Sequence, residues 1–438
     1  MAEAPNEKKF MRETIVKPPV SRGQIARRLL ALILFAVIFG VVAAVSFVVS
    51  WPVAEQLFGT EPPSTAIPIT IERDDEPGSY TAPTETMEET PPEPLQSEAV
   101  REEMEQMLDE ALEEFPWEDK HLEELNQLIV KAGQAADKSI VTVSSVRQQT
   151  DWFDNPVESM GQYAGVILAV NENEVVILTM EAALEGADEL RVIFGDGGIA
   201  SGEVKQRDTV AGLAAIRVNT AELGGGTKSW IEAIELGNSY TTRAGDMVVA
   251  VGSPAGWVHS VKYGRLSYVA KGVQIPDGQT RVLYADFDCY TENGTFLLNM
   301  NGQLLGWASV RYQEETPDGV TALTAISEYK GMLQKLSNGI EMPYFGIMAQ
   351  EVSGAMQEQG VPEGIYITES IADGPAYSAG IQNGDIITRI QTDDIVSIRD
   401  FQVCLENVQS GENVTVVVQR KGIDEYKEIE YSVTIGAR

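Results

Sequence analysis

From Ser139 to about Ile326 the chain is a succession of short β-rich runs separated by glycine and asparagine turns. The runs are Ser139–Val146, Ala164–Val170, Glu174–Thr179, Leu190–Phe194, Leu213–Val218, Met247–Gly252, Val261–Val269, Arg281–Phe287 and Gln303–Val310. Strands satisfy their backbone groups only by pairing with other strands. So many in succession, with no helix between them, specify a β-sandwich or a pair of barrels. A short helix near Ser327–Ser337 closes the region. The fold class is mainly β.

The 438 residues allow two or three domains. Residues 29–50 are uncharged and apolar. As a helix that stretch reaches ~33 Å, enough for a bilayer core of roughly 30 Å. It ends at Ser50-Trp51-Pro52 without the small-residue cleavage site of a signal peptide. The expectation is a single transmembrane helix, an uncleaved signal anchor. The preceding 28 residues carry seven Lys/Arg against three Glu, which places them in the cytoplasm and the bulk of the chain outside, as a single-pass protein of the cell membrane. The whole chain carries −34 and this tail +4, so the remainder carries −38. It disfavours nucleic acid as a partner.

Residues 51–97 are rich in Pro, Thr, Ser and Glu and read as a disordered linker. Residues 98–137 show helical apolar spacing, interrupted at Pro116, and read as an amphipathic segment that packs on the next domain or associates with other copies. Cys289 and Cys404 lie in different proposed domains and read as buried free thiols. No metal or cofactor motif is present in the sequence, so the expectation is no cofactor.

Near the C-terminus, Gly374-Pro-Ala-Tyr-Ser-Ala-Gly-Ile-Gln-Asn-Gly-Asp-Ile-Ile387 resembles the core signature of bacterial PDZ domains. Upstream, Ile177-Leu-Thr-Met-Glu-Ala-Ala-Leu-Glu-Gly-Ala-Asp188, Asp208-Thr-Val-Ala-Gly-Leu-Ala-Ala-Ile216 and Tyr284–Gly306 resemble the three triad-bearing segments of the HtrA (Deg) serine proteases. The resemblance covers about residues 138–436, domain order included. It implies a trypsin-like double β-barrel over 138–338 and an α+β PDZ domain over 339–438.

Carried over position by position, the resemblance places Ala182 where the family has its general-base histidine and Gly212 where it has the orienting aspartate. The nucleophilic serine falls on Gly294 counted from Asp286, or on Asn293 counted back from Asn299 and Gly302. A triad needs a nucleophile, a base and an orienting carboxylate, and none of these residues supplies one. A glycine that feeds the oxyanion hole maps to Glu292, or to Thr291 in the shifted register. The expectation is therefore no catalytic residue and a pseudoprotease, not an enzyme, with Phe296 intruding on the former cleft.

Tyr344-Phe345-Gly346-Ile347 stands where the family places its carboxylate-binding loop, with the amides of Phe345, Gly346 and Ile347 as donors and Phe401 and Leu405 as the pocket for a terminal side chain. The bland alternative makes Phe345 and Ile347 core residues. The function expected is a membrane-anchored, non-catalytic HtrA-like protein. It would bind peptide C-termini or extended segments of extracytoplasmic proteins as a scaffold, envelope-stress sensor or regulator. Assembly as a homotrimer, or mixed with active relatives, is implied by the resemblance. The alternatives are a membrane-bound serine-type endopeptidase with a non-standard active site and a purely structural oligomer.

Overall fold

The computed structural model describes residues 68–75, 119–150, 156–423 and 425–438, all within one compact unit, Ile67–Arg438. The basic tail, the expected membrane anchor at 29–50 and the first part of the helical segment lie outside the described residues. Among the described residues no helix is long and apolar enough to cross a membrane.

Two closed six-stranded barrels form the centre. The first contains β1 (Ile140–Thr150), β2 (Pro156–Val170), β3 (Glu174–Met180), β4 (Glu189–Phe194), β5 (Ile199–Asp208) and β6 (Leu213–Asn219), in the order β1-β2-β3-β6-β5-β4. The second contains β7 (Met247–Gly252), β8 (Lys262–Ile275), β9 (Gly278–Ala285), β10 (Thr295–Asn299), β11 (Leu304–Ala308) and β12 (Thr321–Ala325), in the order β10-β11-β12-β9-β8-β7.

Strand β3 shows why its sequence is almost continuously apolar. Val175 and Ile177 fill the first barrel, while Val176, Leu178 and Met180 face the core shared with the second. Side chains alternate across a strand, so a strand covered on both faces loses the polar half of its pattern. The shared core also holds Phe296, Leu298, Leu304 and Trp307 from the second barrel. Trp307 Nε1 donates to the carbonyl of Ala211, 3.3 Å away across the barrel interface. Phe296 is fully buried there. The expectation that its ring intrudes on the cleft is wrong, because its position in β10 turns the side chain toward the apolar core.

A leading helix, Asp119–Ala136, packs on β7 and contributes Ile129, Ala132 and Ala136 to the shared core. A junction helix, Lys330–Ser337, buries Met332, Leu333 and Leu336 in the same core and leads to the C-terminal domain.

The C-terminal domain is a sheet of β14 (Ile347–Glu351), β15 (Ile365–Ser370), β16 (Ile386–Ile390), β18 (Asn413–Lys421) and β19 (Tyr426–Thr434), with β17 (Asp393–Asp394) paired to β16. The two-residue strands β13 (Pro343–Tyr344) and β20 (Gly436–Ala437) pair separately. Strand β14 forms one edge of the sheet. The helix Ile398–Asn407 packs beside it. That helix starts in a reciprocal capping box between Ser397 and Asp400.

The expected linker 51–97 is not featureless. Residues 68–75 run along the junction helix, and three backbone groups of Ile69 and Ile71 bond to side chains of the helix and its C-cap. Ile69 N and O bond to the Asn338 amide at 2.9 and 2.8 Å, and Ile71 N donates to Gln334 Oε1 at 3.0 Å. Asp74 accepts from Lys330 Nζ at 2.8 Å and from Ser327 Oγ at 2.6 Å. Ile69 and Ile71 pack on the shared core. The alternation Ile67, Ile69, Ile71 was hidden in a proline- and threonine-rich composition.

Candidate functional site

The cleft between the barrels gathers the three positions at which the resemblance places a triad. A cavity of about 410 Å³ is lined by Tyr163, Met180, Glu181, Ala182, Gly212, Glu292, Asn293, Ser309 and Arg311, among others. Ala182 lies in a single 3-10 turn, Glu181–Leu184, at the end of β3. Glu181 N donates to Gly212 O at 2.9 Å, which joins that turn to the β5–β6 turn. The latter is shaped by Asp208, whose Oδ1 accepts from the amides of Val210 and Ala211 at 2.8 and 3.2 Å.

Of the two candidates for the serine position, the structure brings Asn293 into the cleft. Gly294 is not among the lining residues. Its φ is +89°, and a Cβ built there would lie 2.7 Å from Ala164 O. Asn293 O accepts from Ala164 N at 2.7 Å and Gly294 O from Ser253 N at 2.8 Å, which pins the turn to both barrels. Glu292 is exposed at the mouth. The hydroxyl of Thr295, beside these positions, is buried and donated to Tyr290 O at 2.6 Å, so it does not face the cleft.

The remaining chemistry of the cleft is its acids, its hydroxyls and the guanidinium of Arg311. Glu181 is held above the ordinary carboxylate range by burial, opposed by Arg207, whose guanidinium is 3.9 Å away. The hydroxyls on the lining are those of Tyr163, Thr209 and Ser309. Of the two histidines, His259 lies on a separate turn, with Nδ1 2.6 Å from Asp137 Oδ1.

In the C-terminal domain the segment expected to bind a carboxylate, Tyr344–Ile347, runs from β13 into β14. Gly346 adopts φ +86°, a left-handed conformation, and a Cβ there would meet Gly374 Cα at 3.2 Å. This aims three successive amides at one point, an anion-binding nest. Phe345 N donates to Asp277 Oδ2 at 2.8 Å, and Gly346 N and Ile347 N to Asp277 Oδ1 at 2.8 and 2.9 Å. The side chains behave as the bland alternative had it. Phe345, Ile347, Phe401 and Leu405 all belong to the domain core, and Phe345 meets Phe401 edge-on at 5.5 Å. Phe401 has no exposed surface, because its helix turns it inward, whereas Leu405 borders a small cavity shared with Ile275 and Asp277. Tyr344 is half-buried in β13.

Asp277 was not anticipated. It sits in the two-residue turn of the β8–β9 hairpin, where Ile275 pairs with Gly278. The Pro276-Asp277-Gly278 sequence signals a turn, but nothing in it says which loop the carboxylate reaches. Burial pushes the Asp277 carboxyl up, opposed by the Ile347 amide, the Arg438 guanidinium and the amides of Phe345 and Gly346.

Comparison with known proteins agrees with this geometry. Residues 164–306 match the trypsin-like peptidase domain model and residues 343–431 the PDZ domain model. The serine protease Do-like HtrB of Bacillus subtilis (strain 168) is 26% identical over 280 residues, 59% of this chain and 59% of that protein. The probable periplasmic serine endoprotease DegP-like of Pseudomonas savastanoi pv. phaseolicola is 28% identical over 270 residues, 60% of this chain and 53% of that protein. The serine endoprotease DegS of Salmonella typhimurium is 24% identical over 315 residues, 69% of this chain and 84% of that one. The chain thus spans between half and three-fifths of the first two relatives' length. The HtrA-type protease AlgW, solved with a decapeptide, superposes with a TM-score of 0.51 at 19% identity, covering 71% of this chain and 98% of AlgW, which shows the shared fold.

These findings correct one expectation. The relatives are named as serine proteases or endoproteases, and the fold is theirs, so the chain is not set apart as a non-enzyme. The residues at the triad positions describe the lining of the cleft.

Proposed function

Because the chain carries a trypsin-like peptidase domain followed by a PDZ domain and is homologous to the HtrA, DegP and DegS serine proteases, we propose that it recognises extended polypeptide through the carboxylate loop of its PDZ domain and the cleft between its barrels. The observation that carries this reading is the convergence of three amides, from Phe345, Gly346 and Ile347, on one carboxylate within 2.9 Å. A peptide C-terminus offers the same group, and an extended peptide can add to the edge strand β14. Main-chain donors need no particular side chain, provided position 346 keeps the left-handed conformation that glycine allows. The cleft is roomy enough for side chains of a bound segment and is bordered by both acidic and basic groups.

Attachment to the cell membrane through residues 29–50, with the folded part extracytoplasmic, belongs to the same proposal and rests on the apolar run and the basic flank. So does assembly as a homotrimer or with relatives, which rests on the resemblance alone. Work as a scaffold or sensor of envelope state would follow from peptide recognition on a membrane-tethered body.

The test is fluorescence anisotropy on the chain from residue 51 onward. The probe is a fluorescein-labelled decapeptide library with randomised last four positions, prepared as free acids and as C-terminal amides. Saturable binding of free acids, lost in the amides and in Gly346→Ala, is expected. Equal binding of acids and amides would defeat the reading.

A further inference from the structure

The carboxylate loop already holds a ligand that belongs to the chain itself. Both Asp277 oxygens are engaged by the three loop amides, and Asp277 N donates to Ile347 O at 2.8 Å. A peptide adding a strand to β14 would present this same pair of groups at its last residue, one N–H and one carboxylate. The side chain of Asp277 substitutes for the terminal carboxylate, and its backbone for the terminal amide.

The rest of the hairpin tip occupies the place of such a peptide. On the sheet side, Gln274 contacts Gln350 of β14 at 3.3 Å and Thr368 of β15 at 3.4 Å. On the helix side, Gln402 donates to Gln279 O at 3.4 Å, and a Cβ on Gly278 would come within 2.3 Å of Gln402 Nε2. The tip therefore lies between the free edge strand and the helix that flanks it. Asp277 is only 5% exposed. It also adopts φ +61°, a region that non-glycine residues enter at a cost. Glycine would relieve that cost but has no carboxylate to give the loop.

We propose that Asp277 is an internal ligand of the PDZ carboxylate loop, docking the β8–β9 hairpin of the second barrel in the peptide groove, so that a free peptide C-terminus binds by displacing it. This rests on the recognition reading above and adds the occupant and the domain contact it controls. Displacement would free the hairpin tip, which joins directly to two strands of the second barrel. Because the occupant is tethered, its effective concentration is on the order of millimolar. Apparent peptide affinity is reduced by the fraction of loops left open.

Two measurements on the chain from residue 51 onward test this. Hydrogen exchange followed by mass spectrometry reads the peptide spanning Phe345–Ile347 in the parent, Asp277→Ala and Asp277→Asn, each checked for folding by near-ultraviolet circular dichroism. At least tenfold faster exchange in Asp277→Ala is expected, with Asp277→Asn between it and the parent. Unchanged protection in both folded variants overturns the proposal. In the anisotropy assay with the same peptide library, Asp277→Ala should bind free acids at least tenfold more tightly than the parent and leave amides unaffected. Free-acid binding equal in parent and variant overturns displacement. Faster exchange with no free-acid binding to either variant supports the internal contact and sinks the recognition reading alone.

Discussion

At the scale of single residues, the most constrained position is Gly294. Its positive φ and the 2.7 Å approach of Ala164 O leave no room for any side chain. Gly294→Ala is expected to cost about 1–3 kcal/mol in urea denaturation, the range of strained or overpacked sites. A cost below about 0.5 kcal/mol would show that the turn relaxes. The sequence left Asn293 and Gly294 as equal candidates for the serine position because the two flanking motifs imply different registers. The carbonyl that separates them belongs to β2, distant in sequence. Cys289 offers a second check. Burial pushes its thiol from 9.0 up to about 11. At pH 8 its thiolate is about a hundredfold scarcer than that of an unperturbed cysteine, so iodoacetamide should modify it at least that much more slowly in the folded chain. The folded chain holds this proton more tightly than the unfolded chain, so the contribution is full below pH 9 and is lost as pH rises toward 11.

At the scale of elements, the strap at residues 68–75 joins parts of the chain that composition alone would keep apart. Its Asp74 pairs with Lys330, whose side chain is 6% exposed. Asp74→Ala would leave a buried cation without its partner. Its expected cost is about 3 kcal/mol, read as a fall in the urea midpoint. Arg73 pairs with Glu406 near the surface, and Arg73→Ala is expected to cost under about 1 kcal/mol. Equal effects of the two substitutions would contradict the assigned difference in burial. Most of the elements were legible: Met247–Gly252 matches its expected bounds, and the helix expected near Ser327–Ser337 forms over Lys330–Ser337. The strands β5, β10 and β12 were not read as strands. β5 buries only two of its ten residues and carries Glu, Lys, Gln, Arg and Asp, so its apolar pattern is thin. β10 and β12 have five residues each, too few to show a period. The long β8–β9 hairpin was read as two shorter strands, so the turn that carries Asp277 fell between them.

At the scale of the whole molecule, the barrels provide a cleft, the C-terminal domain provides a loop of amides, and the β8–β9 hairpin connects the two. The domain order and the loop position were visible in sequence motifs. The contact between them was not, because a carboxylate in a turn has no sequence pattern that names its partner. The cleft has its own test. The triple substitution Ala182→His, Gly212→Asp and Asn293→Ser should hydrolyse unfolded casein faster than the parent chain, since these three positions border one cavity. No gain in a folded variant would show that the cavity does not align them. The most direct measurement, however, is a crystal structure of the chain from residue 51 onward, grown with a free-acid decapeptide selected from the library. The expected result is the peptide's terminal carboxylate within hydrogen-bonding distance of the Phe345, Gly346 and Ile347 amides, with Asp277 withdrawn. A peptide bound elsewhere, with Asp277 still on those three amides, would contradict recognition at the loop.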